Sequence, residues 1–175
     1  MIKTQKQPTL RPSDVVVACQ LALTPDAKFL EIANSTGISA GECHNAVRRL
    51  RLSRILLAEQ RRPAAEVLHL FLVQGAPFAF PPVLGPQTIG TATAVSAAVF
   101  REKIDSLEGF VWLDAAGTAR GQSLIPLFPG APSLPARNKP LYELLAIIDA
   151  LRIGTTRVRA IASELLVDRL IGSKA

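Results

Sequence analysis

The stretch FLEIANSTGISAGECHNAVRRLRL, residues 29–52, decides how the fold of this 175-residue chain is interpreted. Within it a small residue, Ala33, is followed four positions later by Gly37, which accepts the positive φ of a tight turn. The positions after the turn carry apolar side chains at helical spacing, namely Ile38, Cys43, Ala46, Val47 and Leu50. Two helices that cross closely at a turn have this pattern. The sequence therefore predicts a helix-turn-helix whose second helix runs from about Ser39 to Leu52.

The start of this second helix is marked by Ser39 and Glu42, which form the pattern of a capping box. The Ser39 hydroxyl is expected to accept from the Glu42 N–H, while the Glu42 side chain reaches back to the Ser39 N–H. The face opposite the apolar residues is small, polar or cationic, and its positions are Ser39, Ala40, Gly41, His44, Asn45 and Arg48. A helix face of this kind is expected to point away from the core and into the major groove of DNA.

The side chains of this face have separate expected roles. Asn45 can pair with adenine and Arg48 with guanine, each through two hydrogen bonds, while His44 can reach a base edge or a phosphate. The backbone N–H groups at the Ser39 end suit a phosphate. The neighbouring arginines are expected to attract phosphates without regard to base sequence, and they are Arg49, Arg51, Arg54, Arg61 and Arg62. The alternative is a solvated helix face on which the arginines and His44 have no role.

The stretch LEIANSTGISAGECHNAVRRL resembles the helix-turn-helix of bacterial MarR-type and related winged-helix transcriptional regulators, whose pattern is LAxxxGxSxxxVxxxxxxL. The residues that fall on this pattern are Ala33, Gly37, Ser39 and Leu50, and Cys43 takes the place of a valine. The resemblance covers residues 10–75. It implies double-stranded DNA as the partner and transcription regulation as the role.

The resemblance stops at the wing, the pair of strands and basic loop that follow the helix-turn-helix in those families. Residues 54–58 suit one strand, but Pro63 and a helical pattern arrive before a second strand can form. The wing is therefore predicted to be short or missing, with residues 60–62 as its remnant. A response to small-molecule inducers is not inferred from the resemblance.

The fold class predicted for the whole chain is mainly α with a small β-hairpin. Residues 1–75 are predicted to form the helix-turn-helix DNA-binding domain, and residues 76–137 an extended arm followed by the hairpin. Residues 138–175 are predicted to form a C-terminal helical region for dimerisation or partner binding. Prolines and glycines recur over residues 77–98 with little periodicity, which is typical of an arm or loop.

The hairpin is predicted from two apolar segments, residues 109–113 and 122–128, joined around residues 115–118. A short helix is expected before them, over residues 99–107.

Two amphipathic helices are predicted at the C-terminus, over residues 140–152 and 155–171. The first carries an apolar stripe made of Leu141, Leu144, Leu145, Ile148 and Leu151. Such a stripe suits a symmetric interface, and a homodimer would match paired DNA half-sites. The alternative is that these helices cover the first helix and the hairpin of the same chain.

The composition agrees with a polyanionic partner and argues against a metal site, an enzyme and a membrane protein. The net charge is +6, and residues 48–62 hold six arginines against one acid, Glu59. Cys19 and Cys43 are expected to be buried thiols, and no Cys/His spacing suits a metal, so no cofactor is expected. No catalytic motif is present, which favours a protein that is not an enzyme. Without a signal peptide or an apolar stretch of ~20 residues, the expected location is cytoplasmic and off the membrane.

Two functions follow from these observations. The first is a sequence-specific, homodimeric repressor that reads the major groove with the helix at about residues 39–52. The second is an antitoxin-like interaction subunit whose residues 77–175 bind a partner protein.

Overall fold

A computed structural model describes residues 8–105 and 109–172 of the chain. It is mainly helical with one small three-stranded sheet, so the predicted fold class is confirmed. The first three helices are α1 (Pro12–Leu23), α2 (Phe29–Thr36) and α3 (Ala40–Leu52). The bounds of α3 agree with the helix predicted from about Ser39 to Leu52.

A short two-stranded turn follows α3, where a wing would follow a helix-turn-helix. Leu56 and Pro63 form an isolated antiparallel bridge. The Leu57 N–H donates to the Arg62 carbonyl at 3.1 Å, and the Ala64 N–H donates to the Ile55 carbonyl at 3.0 Å. We call residues 55–64 the bridged turn. Pro63 is tolerated here because the two hydrogen bonds of the bridge use the N–H groups of Leu57 and Ala64 and none at position 63.

The next helix is continuous but changes its winding. It consists of α4 (Ala65–Leu70), a π-helical turn (Phe71–Gly75) and α5 (Ala76–Ala79). Pro77 cannot donate to the Val73 carbonyl, and Arg159 Nη2 from a distant helix donates to that oxygen at 3.4 Å. The helix continues past Gly75, so the domain boundary predicted after residue 75 falls inside it.

The sheet contains β1 (Leu84–Thr93), β2 (Phe110–Leu113) and β3 (Ala119–Leu124). β1 pairs antiparallel with both other strands, which are parallel to each other where they meet, and the three close into a small barrel. The segment predicted to be an arm or loop therefore contains a strand, β1, that pairs with both of the others. The two predicted hairpin strands each pair antiparallel with β1, and the second lies at residues 119–124 instead of 122–128.

The small residues of β1 explain this arrangement. A Cβ atom on Gly90 would overlap the carbonyl oxygen of Trp112, so glycine is needed where β1 meets β2 so closely. Pro86 falls in the irregular step between Leu84 and Gln87, where the ladder requires no donor from it.

Two 3₁₀ turns, Ala94–Ser96 and Ala98–Phe100, follow β1. The helix predicted at residues 99–107 is reduced to the second of these turns. The last part of that predicted helix, from residue 106, lies outside the described residues.

Three helices complete the fold, α6 (Leu134–Arg137), α7 (Lys139–Ile153) and α8 (Thr156–Leu170). The apolar stripe of α7 is buried within the chain, against α1, α8 and the sheet. The stripe predicted for a dimer interface is thus used internally, which agrees with the alternative that this helix covers the first helix and the strands.

One continuous apolar core joins the helix-turn-helix to the C-terminal helices. Helix α1 lies at its centre, and its residues Asp14–Leu21 are all buried. A buried carboxylate, Asp149 on α7, fastens the sheet to this core. It accepts hydrogen bonds from Thr93 Oγ1 at 2.8 Å, Trp112 Nε1 at 2.7 Å and Arg152 Nη1 at 2.7 Å. Burial raises the pKa of Asp149 above its usual range.

Candidate nucleic-acid interface

The turn between α2 and α3 has the geometry expected from the sequence. Gly37 adopts a φ of 83°, in the left-handed region, and its N–H donates to the Ala33 carbonyl at 2.8 Å. The Ser39 hydroxyl caps α3 by accepting from the Glu42 N–H at 3.3 Å. The start of the predicted recognition helix is therefore confirmed.

Helix α3 divides into the two faces that its periodicity predicted. Cys43, Ala46, Val47 and Leu50 are buried against the core. The exposed side includes Ser39, Gly41, His44, Asn45, Arg48 and Arg51, with Ala40 partly exposed at its start and Leu52 exposed at its end. The predicted base-reading residues thus lie together on one accessible surface, which we call the α3 face.

Arg49 does not belong to this face, which corrects the prediction that it contacts phosphate. It is only 9% exposed, and its Nε and Nη2 donate to the two carboxylate oxygens of the buried Asp14 at 2.8 and 2.7 Å. Its Nη2 also donates to Glu42 Oε1 at 2.5 Å. Because its donors are already used inside the protein, Arg49 is a structural residue of the α1–α3 contact.

Glu42 completes only half of the predicted capping box. Its N–H is bound to Ser39, but its carboxylate accepts from Arg49 and, at 3.5 Å, from Arg11. The hydrogen bond from Arg49 holds the pKa of Glu42 below its ordinary value. The carboxylate is therefore turned toward two cations instead of toward the helix start.

The remaining arginines predicted to contact phosphate lie on or beside the bridged turn. They differ in solvent exposure and in their contacts within the protein. Arg51, Arg54 and Arg62 are exposed. Arg61 is partly buried, since its backbone N–H and its Nη2 donate to Asp26 at 3.0 and 3.1 Å. Its guanidinium lies 5.0 Å from the centre of the Phe29 ring, a cation–π contact. Arg61 therefore has a structural task as well as a charge.

A hollow of about 510 Å³ lies between the α3 face and the bridged turn. Its border includes three arginines, Arg48, Arg51 and Arg61, together with His44 and Phe29. The His44 ring meets the Phe29 ring edge-on, with 5.3 Å between centres. A concave surface with several positive charges attracts polyanions.

One further cation near this surface was not predicted from the sequence. Arg137, at the end of α6, lies over the turn of the helix-turn-helix, and a Cβ atom on Gly37 would be 2.5 Å from Arg137 Nη1. Its neighbour Asn138 donates to Gln20 Oε1 at 2.7 Å and to the Ser35 carbonyl at 3.5 Å. The contact is made by residues about 100 positions apart, so no local pattern could indicate it.

Both cysteines are buried free thiols, as the sequence predicted. Burial raises the pKa of Cys19 to about 12 and that of Cys43 to about 11. Neither thiol offers a reactive thiolate at neutral pH.

No protein-family model, curated protein or solved structure matches this chain. Within residues 8–105 and 109–172, no cluster of His, Cys, Asp or Glu could hold a metal ion. No helix in that part of the chain is both long and apolar enough to cross a membrane.

Proposed function

We propose that this protein is a sequence-specific transcriptional regulator that binds double-stranded DNA with α3 in the major groove. The observation that carries the proposal is the α3 face, on which His44, Asn45 and Arg48 are exposed together beside a cationic hollow. Their arrangement supports base contacts from Asn45 and Arg48, since amide and guanidinium groups can each make two hydrogen bonds to one base.

The cations around this face support contacts to the DNA backbone. Arg51, Arg54 and Arg62 are exposed beside α3, and Arg137 adds a charge over the helix-turn-helix turn. Such contacts raise affinity for every DNA sequence and make it depend on salt.

A homodimeric repressor remains our proposal for the assembly, because a single helix-turn-helix reads only a few base pairs. The interface cannot be the stripe of α7, which is buried. Exposed apolar side chains that remain for an interface include Val67, Leu70 and Phe78, on the helix that follows the bridged turn.

The proposal is tested by selecting DNA from a random pool with the wild-type protein and comparing binding to selected and random DNA. Arg48→Ala should cost about 1–3 kcal/mol on selected DNA and much less on random DNA. Arg51→Ala should weaken binding to both equally and lower the salt slope by about 1. Arg157→Ala, at an exposed position of α8, is the control. Wild-type binding without salt dependence, or equal losses from Arg48→Ala on both DNAs, contradicts the proposal.

The antitoxin-like alternative predicted for residues 77–175 has weaker support. That region shares one core with α1 and does not form a separate unit. A stoichiometric partner protein that binds the full-length chain and its Arg48→Ala variant equally, without DNA binding by either, would favour this alternative.

A further inference from the structure

Two adjoining hollows lie at the rim of the small barrel, far along the chain from α3. Their volumes are about 870 and 580 Å³, and Leu113, Pro129 and Pro132 border both. The loop after β2, residues 114–118, forms one wall of the larger hollow, and residues 129–136 form the other. We call the combined space the rim groove.

The smaller hollow of the rim groove is apolar. Four large side chains around it are exposed to solvent, namely Val83 (52%), Leu84 (45%), Leu113 (70%) and Ile125 (59%). Prolines supply much of the remaining lining. Exposed apolar groups gathered in one concavity indicate a binding surface, because single exposed apolar residues are common but clusters are not.

The larger hollow carries one charged group, Asp114. Its Oδ2 lies 2.9 Å from Thr91 Oγ1 and its Oδ1 accepts from the Ala116 N–H at 3.0 Å, so the carboxylate is held in place. No Lys, Arg or His nitrogen of residues 8–105 and 109–172 lies within ion-pair distance of it. The loop beside it contains only small residues, Ala115, Ala116, Gly117 and Thr118, which leave the carboxylate accessible.

We propose that the rim groove binds a small organic cation with an apolar body, such as an alkyl or aryl ammonium ion. The ammonium group would pair with Asp114, and the apolar body would cover Leu113 and the side chains around Leu84 and Ile125. The volume of each hollow lies in the range of small-molecule sites. The charge of the groove excludes an anionic ligand, because the carboxylate would repel it. The site uses none of the residues proposed to contact DNA.

The test is titration of the full chain with phenethylammonium. Phenethyl alcohol and hydrocinnamate serve as neutral and anionic control ligands of similar size. Isothermal titration calorimetry is the readout, since it reports the affinity and the number of sites per chain. Phenethylammonium should saturate one site per chain and bind about fivefold more tightly than the alcohol. Asp114→Asn should remove that preference, whereas Asp168→Asn, at an exposed position of α8, should keep it.

A steric variant tests the location of the site. Ala116→Phe, at an exposed wall position, should weaken binding of both the cation and the alcohol. In Asp114→Asn the amide oxygen can still accept from the Ala116 N–H, and the amide NH₂ can donate to Thr91 Oγ1, whose hydroxyl also reaches the Pro132 carbonyl at 3.3 Å. The variant should therefore fold, as circular dichroism would verify. Equal binding of cation and alcohol, tighter binding of hydrocinnamate, or binding that Ala116→Phe leaves unchanged would overturn the proposal. The proposal would also be overturned if the wild-type protein were a dimer and Ala116→Phe made it a monomer, since the groove would then bind a second copy of the chain.

Discussion

Arg49 on α3 donates two hydrogen bonds to the carboxylate of Asp14 on α1, from Nε to Oδ2 at 2.8 Å and from Nη2 to Oδ1 at 2.7 Å. Both residues are buried, so the pair fixes how α3 is rotated against the core. Successive residues of a helix point about 100° apart, and with Arg49 and Leu50 both buried, Arg48 lies on the exposed side. The structural cation and the proposed base-reading cation are thus neighbours in sequence with opposite tasks.

Replacing Arg49 should therefore damage the fold, while replacing Arg48 should not. Arg49→Ala leaves the Asp14 carboxylate buried without its cation, and breaking a buried pair in this way costs about 3–5 kcal/mol. Arg48→Ala removes an exposed side chain and should change the free energy of unfolding by about 0.5 kcal/mol or less. Urea unfolding of both variants measures the difference. Similar losses for the two variants would contradict the assignment of Arg49 as structural.

The lowered pKa of Glu42 predicts a pH dependence of stability. Because this pKa is lower in the folded than in the unfolded protein, the ionised carboxylate stabilises the fold above its ordinary pKa of 4.5. That contribution is lost as the pH falls from 4.5 through the lowered value.

The measurement is the free energy of unfolding of wild type and Glu42→Gln over a pH series, with Glu66→Gln on α4 as the matched control. The difference between wild type and Glu42→Gln should be constant near neutral pH and shrink below 4.5. A difference that persists unchanged through acid pH would show that the charge of Glu42 does not contribute.

The helix-turn-helix could be predicted from sequence because its determinants are local. Gly37 and Ser39 act within a few residues of themselves, through a left-handed turn and a helix cap. Arg49 could not be placed in the same way. Its partner Asp14 is 35 positions away, and an arginine at the edge of a helix face suits solvent or DNA equally well until that partner is known.

Strand β1, in the centre of the chain, could not be predicted for a related reason. One proline and two glycines in residues 84–93 suggest a loop, yet Gly90 is what allows β1 to lie close to β2. The strand is held by pairing with two distant segments and by the Asp149 network. Such non-local pairing leaves no periodic signal along the strand itself.

The buried cysteines predict a slow reaction with thiol reagents. With pKa values raised to about 12 and 11, Cys19 and Cys43 should react with Ellman's reagent about 100-fold more slowly than a free cysteine at mildly alkaline pH. Unfolding in urea should release both thiols at once and serves as the control. Rapid labelling of native Cys43 would instead support a redox-sensing role beneath α3.

Arg137 predicts that the C-terminal half contributes to DNA affinity, an expectation that rests on the proposed function. Its guanidinium lies against the turn at Gly37, close to the start of the α3 face. A phosphate contact there is independent of base sequence. Arg137→Gln should therefore weaken binding to selected and random DNA by the same factor and lower the magnitude of the salt slope by about 0.9.

Arg157→Gln is the matched control for this prediction, because it removes the same charge from an exposed position of α8. Net charge changes equally in the two variants, so a general electrostatic effect should weaken DNA binding to the same extent in both. A loss confined to Arg137→Gln assigns a local phosphate contact. If both variants bind as the wild type does, DNA does not reach α6, and the interface ends at the helix-turn-helix.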